Sequence, residues 1–457
     1  MDEHHRRLLA ACYARRPWIL AMEHLAGATP LVADLRGLGA GPLFAVAGSR
    51  GTGAVPEDLP AVVLELGGAT VMDSIRAFDR ALAEPGAGVG AALDGFDPGR
   101  EARVIATPFS ALTSVAGRAV HGARPARWRA LEDKTVVDAL WDATGVPRAP
   151  ALVVSAERAA LHAASARLDR GDGAVWVADN RRGWHGGAAG LRWVRSPEEA
   201  DAAAAFLADE AAQVRVMPFL DGIPCSIHGM VFADAVIAFR PCEMVVLRRP
   251  GRSDLLYAGV GTTWDPPPHR REELRALARR VGEHLRATVG YRGVFTVDGV
   301  MTAAGFRPTE LNPRFGGAAS SLAPRGLPLY LLHLAVVAEV PGDWRPARLE
   351  QQVVEAADAI RAARSIVYTP RAPDGEETVT LHWQGTALVA SPPAAAPDVS
   401  VTFGPSAVGG ALRVMVDAAR HPRGRSVAPA VAAALRWADA HWNVGLGPLE
   451  PAPDLST

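Results

Sequence analysis

The sequence contains few cysteines and almost no lysine. Its three cysteines, Cys12, Cys225 and Cys242, lie far apart in a chain of 457 residues. An odd number at such spacing excludes a disulfide framework and a cysteine-based zinc site, and indicates a reducing compartment. Lys134 is the only lysine, because every other position of the Lys and Arg type holds arginine. A lysine kept in so arginine-rich a chain indicates a position that requires a compact point charge.

Long apolar runs and an excess of one charge are also missing. No stretch reaches the ~18 uncharged apolar residues that predict a transmembrane helix, so no membrane contact is expected. Residues 1–7 are mostly polar, and no apolar core with a cleavage site follows them, which is unlike a secretory signal. The net charge of −1 provides no basic surface for nucleic acid. We therefore expect a cytoplasmic protein that binds small molecules.

With 49% hydrophobic residues the chain has enough apolar side chains for several cores, and its patterns predict three parts. Residues 1–129 alternate apolar runs with helical patterns, which favours an α/β domain with a parallel sheet. Residues 130–345 predict a pair of α+β subdomains, about 130–212 and 213–345. Residues 346–457 predict a third domain of the α+β type.

The most informative segment is a predicted β-hairpin that carries oxygen ligands. The apolar run 294–301 and the run after the next turn predict its two strands. Side chains alternate along a strand, so Glu310 and Asn312 are expected to face the same way. A glycine bulge at Gly305 is expected to place Asp298 opposite Glu310.

The residue types of this hairpin suit a magnesium nucleotide. Magnesium prefers a few hard oxygen ligands and keeps the rest of its shell for water and phosphate. The carboxylates of Asp298 and Glu310 and the amide oxygen of Asn312 are the candidate ligands. The Arg314 guanidinium is expected to neutralise a phosphoryl group beside them. The alternative interpretation is a hairpin with exposed charges.

An acidic residue followed at a distance by Glu310-x-Asn312-x-Arg314 resembles the metal site of the ATP-grasp superfamily. Most members are ATP-dependent carboxylate–amine ligases, so the resemblance implies ATP and Mg²⁺ as cofactors. It also implies a fold class, α/β and α+β. An ATP-grasp domain at 130–345 then follows an α/β pre-ATP-grasp domain and precedes a C-terminal α+β domain.

A second segment, Asp133-Lys134 followed by Gly145-Val-Pro147, resembles the start of the ATP-grasp domain. An acidic residue suits the N-terminus of a helix, and Gly145 with Pro147 behind it suits the C-terminus. The resemblance implies a helix that opens at Asp133 and a contact between Lys134 and nucleotide phosphate. The alternative is a surface lysine in the first turn of a helix.

The resemblance extends to two loops around the expected nucleotide. One resembles the hinge whose backbone holds adenine, although alone it also fits a buried strand with a turn; its residues are Met217, Pro218, Phe219 and Leu220. The other, residues 179–190, resembles a glycine-rich lid whose N–H groups face phosphate, with Gly186 and Gly187 as the candidates.

The lid departs from the family pattern. Most members carry a second lysine on the strand before the lid, near position 178, and this chain has alanine there. The resemblance then implies that Arg181, Arg182 or His185 replaces that lysine, or that the backbone of the loop contributes more.

Arg240 and Glu243 are the candidates for holding the substrate. Arg240 is expected to form a bidentate pair with a substrate carboxylate, and Glu243 to bind a substrate ammonium or a metal ion. Arg248 and Arg249 are alternatives for phosphate or carboxylate. The structural alternative is that these side chains are strand-end charges paired with one another.

The motifs Gly117-Arg118, His121-Gly122 and Arg127-Trp128, the lid and the added C-terminal domain together resemble the pheganomycin-type peptide ligases. Those enzymes join a small nonproteinogenic amino acid to a peptide. The resemblance implies an ADP-forming ligase that makes a peptide bond through an acyl phosphate in natural-product biosynthesis, with amino-acid or peptide substrates. The alternatives are a carboxylase, a phosphotransferase and a non-catalytic nucleotide-binding protein. A homodimer is the candidate oligomeric state. The candidate catalytic residues are Arg314, Arg240 and Glu243.

Overall fold

The amino-terminal part contains a parallel sheet covered on both faces. The computed structural model describes residues 1–181, 183, 185–323, 326–392 and 396–453. The first elements are α1 (Glu3–Tyr13), β1 (Trp18–His24), α2 (Thr29–Gly37), β2 (Leu43–Ser49), β3 (Ala61–Val63), α3 (Val71–Ala83), α4 (Ala87–Phe96) and β4 (Arg103–Ala106). The strand order is β3-β2-β1-β4 with parallel pairing throughout. Every residue of β2 is buried, as expected of a parallel strand with helices on both faces.

A connecting segment leads from this sheet to the next. It contains β5 (Ser114–Val115), β6 (Arg118–Ala119), α5 (Ala126–Arg129) and α6 (Val137–Ala143). The helix expected to open at Asp133 begins later, at Val137. The reason is that an Asp133 carboxylate oxygen accepts hydrogen bonds from the N–H and the hydroxyl of Thr135, at 2.8 and 2.7 Å, which holds a turn instead. Gly145 follows the helix with φ of 61°, as the sequence predicts.

The next unit is a small antiparallel sheet with helices on one face. Its elements are β7 (Leu152–Ser155), α7 (Arg158–Leu168), β8 (Ala174–Ala178), β9 (Leu191–Val194), α8 (Pro197–Glu210) and β10 (Gln213–Pro218). The strand order is β7-β10-β8-β9. Trp176 and Val216 point to the helices, whereas Val175 and Met217 line an apolar cluster on the other face. One face of this sheet is therefore covered by α7 and α8, and the opposite face carries a separate apolar cluster.

A larger antiparallel sheet carries the predicted hairpin and continues into the C-terminal part. Its strands are β11 (Ile223–Val231), β12 (Val236–Ala238), β13 (Cys242–Arg248), β14 (Leu256–Gly261), β15 (Gly293–Thr302), β16 (Gly305–Asn312), β17 (Ala363–Thr369), β18 (Glu377–Gln384), β19 (Ala387–Ala390), β20 (Val399–Ser406), β21 (Gly409–Val416) and β22 (Glu450–Pro451). The order is β16-β15-β11-β13-β14-β17-β21-β20-β18-β19, with β12 beside β11 and β22 beside β13. Because β14 pairs with β17, no break in strand pairing separates the C-terminal strands from the hairpin strands in the part of the chain that the structure describes.

Five helices accompany this sheet: α9 (Pro268–Val289), α10 (Gly317–Ser321), α11 (Leu329–Val337), α12 (Pro346–Ala359) and α13 (Ala428–Trp442). Helix α9 packs on one face of the hairpin strands, against Cys225, Val297 and Leu311. Strand alternation then turns Ser226 and Asp298 to the opposite face. Within the described ranges, none of the helices combines the length and the apolarity needed to cross a bilayer.

The hairpin has the predicted pairing but a different irregularity. Asp298 lies opposite Glu310, as the sequence predicts. The bulge expected at Gly305 is wrong, because Gly305 pairs regularly with Thr302 and the register shifts between Asp298 and Gly299. The shift leaves Thr309 as the extra residue of β16, directly after a proline that has no N–H for the ladder.

Candidate active site

The polar side chains of the hairpin form a connected cluster on the face away from α9. One Asp298 carboxylate oxygen accepts from the Ser226 hydroxyl at 2.5 Å and the other accepts from the Asn312 amide nitrogen at 2.8 Å. The Asn312 amide oxygen in turn accepts from an Arg314 Nη at 2.8 Å. Asp298, Asn312 and Arg314, together with Glu310 across the hairpin, are therefore brought together as the sequence predicts. Ser226 was not anticipated, because nothing in a plain strand sequence marks a serine as a partner of Asp298.

The electrostatics of this cluster suit a cation. Burial and the nearby charge of Glu310 raise the pKa of Asp298 to about 7, against the opposing Ser226 hydrogen bond and the charges of Arg314 and Lys134. A buried carboxylate that lies beside a second carboxylate provides the environment in which a divalent ion is favoured. The set contains only two carboxylates, and the described residues hold no group of three or more His, Cys, Asp and Glu side chains. The third candidate metal ligand is the amide oxygen of Asn312, which already accepts a hydrogen bond from Arg314.

Lys134 connects the hairpin to the predicted lid. Its Nζ lies 3.1 Å from Glu310 Oε1 and donates to the His185 carbonyl oxygen at 3.4 Å. The side chain is 14% exposed, so this ammonium is largely shielded from water. The only lysine of the chain thus contacts both a candidate metal ligand and the loop expected to cover phosphate.

Arg314 also belongs to a buried ion pair network. Glu132 accepts from Arg124 at one carboxylate oxygen and from Arg314 Nε, at 3.4 Å, at the other. Although burial alone raises the pKa of Glu132, the charges of Arg314 and Arg124 hold it below its usual value. The Arg314 guanidinium lies 4.8 Å from the centre of the Phe109 ring. Sequence reasoning gave no site role to Glu132 or Arg124, because the contact that joins Glu132 to Arg314 spans 182 residues of the chain.

The predicted lid is the loop between β8 and β9. Asp179 anchors its start, because one carboxylate oxygen accepts from the backbone N–H groups of Ala212 and Gln213, at 3.1 and 2.7 Å. Gly186 and Gly187 lie in the part of the loop that follows His185, and Gly187 has φ of 60° and is exposed. The loop therefore presents backbone rather than bulky side chains at its centre.

Three residues were expected as replacements for the missing lysine of the lid, and they lie in different places. Arg181 points away from the loop and donates to the carbonyl oxygens of Ala208 and Asp209, near the end of α8. Arg182 lies outside the described residues. His185 is buried, and burial together with the charges of Lys134 and Arg76 lowers its pKa. Burial thus disfavours the charged form of His185, and Lys134 is the ammonium that contacts this loop.

The predicted adenine hinge borders an apolar surface. Met217 and Pro218 end β10, and Met217 is buried in the cluster on the face of the small sheet opposite α7 and α8. The Phe219 ring stacks on Trp193 with centroids 4.0 Å apart. The Phe219 N–H donates to the Gly173 carbonyl oxygen at 3.0 Å, whereas no described residue accepts from the Leu220 N–H. This arrangement combines a flat apolar wall with one available backbone donor.

The structure does not bring Arg240 to the cluster, which corrects the sequence-based role. Arg240 is fully buried and donates to the carbonyl oxygens of Thr262 and Trp264 and to a carboxylate oxygen of Asp265. Its Nε lies 3.2 Å from an Asp358 carboxylate oxygen. Its guanidinium is held by protein groups, so no face of it is open to a substrate carboxylate.

Glu243 is likewise placed elsewhere. It lies on the same sheet face as Cys225 and α9, opposite to the face that carries Asp298. Its carboxylate accepts from the Ser426 hydroxyl and from the Val427 N–H, at 2.8 Å for the latter, next to the start of α13. Glu243 is therefore a helix-capping carboxylate and not a substrate ligand. The other arginines proposed as alternatives pair locally, Arg248 with Asp221 and Arg249 with Asp254.

The fold of this chain is similar to that of proteins of known structure. Neither a protein-family model nor a curated protein sequence matches the chain. Among solved structures, the ADP complex of an N5-carboxyaminoimidazole ribonucleotide synthetase is similar, with a TM-score of 0.52, 12% identity, and coverage of 94% of this chain and 98% of that chain. A pyruvate carboxylase from Rhizobium etli is similar over 88% of this chain and 36% of its own, with a TM-score of 0.52 and 16% identity.

These likenesses show the fold and nothing finer at such low identity. The chain has a mixed α/β, multidomain ATP-grasp fold, as the sequence predicts. The small sheet, the loop between β8 and β9 and the large sheet with its hairpin lie around one cluster of charged side chains.

Proposed function

We propose that this chain is an ATP- and Mg²⁺-dependent, ADP-forming ligase that activates a carboxylate as an acyl phosphate and joins it to an amine. The observation that carries the proposal is the hairpin cluster, in which Asp298, Glu310, Asn312 and Arg314 share one sheet face and Lys134 links them to a glycine-rich loop. Phosphoryl transfer needs positioned charge more than a covalent nucleophile, and this cluster supplies charge of both signs.

Asp298 and Glu310 would hold the Mg²⁺ ion, with the amide of Asn312 as a third donor. When bound, the ion neutralises phosphate oxygens and thereby favours phosphoryl transfer. The Arg314 guanidinium is fixed by Glu132 and Asn312, so it presents a preoriented positive charge to the transferring group. Lys134 would leave Glu310 for a phosphate oxygen, which is a short displacement for a flexible side chain.

The face of the small sheet opposite α7 and α8 would hold the adenine. Met217 and the Phe219–Trp193 stack supply the apolar wall, and the Leu220 N–H supplies a hydrogen-bond donor to a ring nitrogen. The similarity to a structure solved as an ADP complex supports a nucleotide in this fold. Backbone recognition also explains why the hinge residues need no particular side chains.

The loop between β8 and β9 would cover the phosphates and exclude water. Its centre at Gly186 and Gly187 offers backbone N–H groups to an anion, and Lys134 holds the loop through the His185 carbonyl oxygen. Water exclusion matters because an acyl phosphate hydrolyses before an amine attacks it if water enters.

For the substrate, the proposal is an amino acid or a peptide on both sides of the new bond. The motif resemblance to pheganomycin-type peptide ligases supports this, and so does a cavity of about 750 Å³ beside Glu132, which has room for more than a bicarbonate ion. Formation of a peptide bond in natural-product biosynthesis is the specific role that we propose.

The test is a product analysis. The purified protein receives ATP, Mg²⁺ and pairs of amino acids or dipeptides, and nucleotide products are separated by chromatography. ADP and phosphate are expected, with a ligated peptide by mass spectrometry. Release of AMP and pyrophosphate would reject the proposal, because that product pattern requires an adenylate instead of an acyl phosphate.

A carboxylase is the second candidate, and the fold comparison favours it. Both similar structures carry names of carboxylating enzymes or carboxyamino products. This function predicts ATP turnover that depends on bicarbonate. Turnover that is unchanged by removal of bicarbonate and that depends on an added amino acid would decide for the ligase.

A further inference from the structure

The cavity beside the hairpin cluster is bounded by four parts of the chain. It has a volume of about 750 Å³ and lies between α3, residues 107–111, residues 124–136 and the loop residues Asn180 and Gly183. Phe78 of α3 and Phe109 belong to its walls, and so does Glu132, which bonds Arg314. Small-molecule sites typically measure ~300–1,000 Å³. The cavity therefore has the size of a substrate site and reaches the cluster through Glu132.

The cationic side chains of this cavity differ in whether they have partners. Arg124 pairs with Glu132, and Arg76 also has interaction partners. Arg80 and Arg129 form no ion pair and no side-chain hydrogen bond within the described ranges. The Arg129 Nε is buried, and no described residue accepts a hydrogen bond from it. A buried guanidinium nitrogen without an acceptor is energetically unfavourable unless an anion binds and accepts a hydrogen bond from it.

The acidic side chains of the cavity do not supply that acceptor. Both oxygens of Glu132 are taken by arginines, and Asp133 accepts from Thr135 and from the backbone. The remaining carboxylate, Asp79, accepts the Ser110 hydroxyl at 2.6 Å. Counted over the side chains that line the cavity, four arginines (Arg76, Arg80, Arg124 and Arg129) face three carboxylates (Asp79, Glu132 and Asp133), so the cavity has an excess of one positive charge.

We propose that Arg80 and Arg129 bind an anionic group, a carboxylate or a phosphate, on the amine substrate of this enzyme. Guanidinium groups recognise both anions through paired N–H donors. The amine end of the same molecule then points toward Glu132 and Arg314, where the activated carboxylate would lie. This proposal rests on the proposed ligase function and adds to it the chemical class of the acceptor, an amine that carries an anion.

The experiment compares acceptors that differ in that anion. Wild-type protein with ATP, Mg²⁺ and a fixed pool of amino acids as carboxylate donors receives one of three acceptors: a pool of dipeptides, the same pool as C-terminal amides, or phosphoethanolamine. Acceptor-dependent ADP formation is measured for the wild type, Arg80→Ala, Arg129→Ala and the control Arg158→Ala, whose side chain is 67% exposed on α7. Direct calorimetric titration of the same acceptors into each protein without ATP is the second readout.

The expected result is turnover with the free-acid dipeptides and at least about tenfold less with the amides, because a charge-assisted contact is lost. Each cavity variant should raise KM at least about tenfold with little change in kcat, whereas Arg158→Ala should match the wild type. Preference for phosphoethanolamine would assign the site to a phosphate and retain the proposal. Equal use of acids and amides, or unchanged KM in both cavity variants, would overturn it.

Failure of the ligase function gives a different result. In that case no acceptor of any pool stimulates ADP formation, while calorimetry still reports on the anion site. Binding of the free-acid dipeptides or phosphoethanolamine to the wild type and its loss in Arg129→Ala would support the anion site alone. Absence of heat from every anionic acceptor in the wild type would contradict it.

Discussion

Lys134 Nζ lies 3.1 Å from Glu310 Oε1, so the only lysine of the chain neutralises a carboxylate that we propose as a metal ligand. The same ammonium donates to the carbonyl oxygen of His185 in the loop between β8 and β9. Binding of a cation at Glu310 and of phosphate at Lys134 would therefore both require this ion pair to open. The arrangement couples the metal site, the phosphate site and the loop through one side chain.

The first prediction uses the rarity of lysine. An amine-acetylating reagent has only two targets in the chain, the α-amino group of Met1 and Lys134. We expect Mg²⁺ and ATP together to slow acetylation of Lys134 at least about tenfold, because the amine becomes engaged by phosphate beneath the loop. Mass spectrometry of both sites over time measures it, with Met1 as the internal control. Equal protection of the two amines, or none, would contradict the proposed phosphate contact.

The second prediction concerns the paired carboxylates. Glu310→Gln and Asp298→Asn keep the side-chain shapes and remove the charges that would hold Mg²⁺. Each variant should lower kcat for ADP formation by at least about 100-fold, because metal and charge stabilisation of phosphoryl transfer is lost. The control is Glu273→Gln, which removes an exposed carboxylate on α9 and should leave kcat unchanged. Full activity in Glu310→Gln would support a non-catalytic role.

The sequence predicted the fold and the site correctly where the apolar pattern and the residues with a chemical role lie in the same short segment. The hairpin, the pairing of Asp298 with Glu310 and the parallel sheet of residues 1–129 follow from alternation and apolar runs. Lys134 was identified because a single lysine among arginines is a signal that needs no contact information. The ATP-grasp fold followed from the same few motifs.

The predictions that failed depended on contacts between distant segments. Arg240 lies just before β13 and Glu243 lies in β13, in a pattern that suits a substrate site. Asp265 and Asp358 nevertheless bind the arginine, and the start of α13 binds the carboxylate. Such pairing crosses the fold and leaves no trace in local spacing. The late start of α6 has a local cause, the Asp133–Thr135 turn, which competes with helix formation for the same acidic residue.

The third prediction tests the corrected role of Glu243. Glu243→Ala leaves the Val427 N–H and the Ser426 hydroxyl without their acceptor at the start of α13, which should lower the free energy of unfolding by about 1–3 kcal/mol. At a temperature where the variant is folded, its kcat and KM should equal those of the wild type. Urea denaturation and steady-state kinetics measure the two quantities. A large fall in kcat without loss of stability would restore the catalytic interpretation.

The fourth prediction follows from histidines buried without charge. Burial lowers the pKa of His228 to about 3, and neither of its ring nitrogens has a hydrogen-bond partner among the residues that the structure describes. The native protein keeps His228 neutral, whereas the unfolded chain binds a proton below about pH 6.5. Stability contributed by this group is therefore fully present above pH 6.5 and is lost as the pH falls toward 3, by about 1.4 kcal/mol per pH unit.

His228→Leu should remove that dependence. Leucine fills much of the same buried space without ring nitrogens that need partners, so stability near pH 7 should be retained or raised. At pH 5 the variant should exceed the wild type by a further amount of about 2 kcal/mol, because unfolding no longer takes up this proton. Urea midpoints at pH 5 and pH 7 measure the difference, with the exposed His269→Leu as the control. An identical pH dependence in wild type and His228→Leu would show that His228 is protonated in the folded protein.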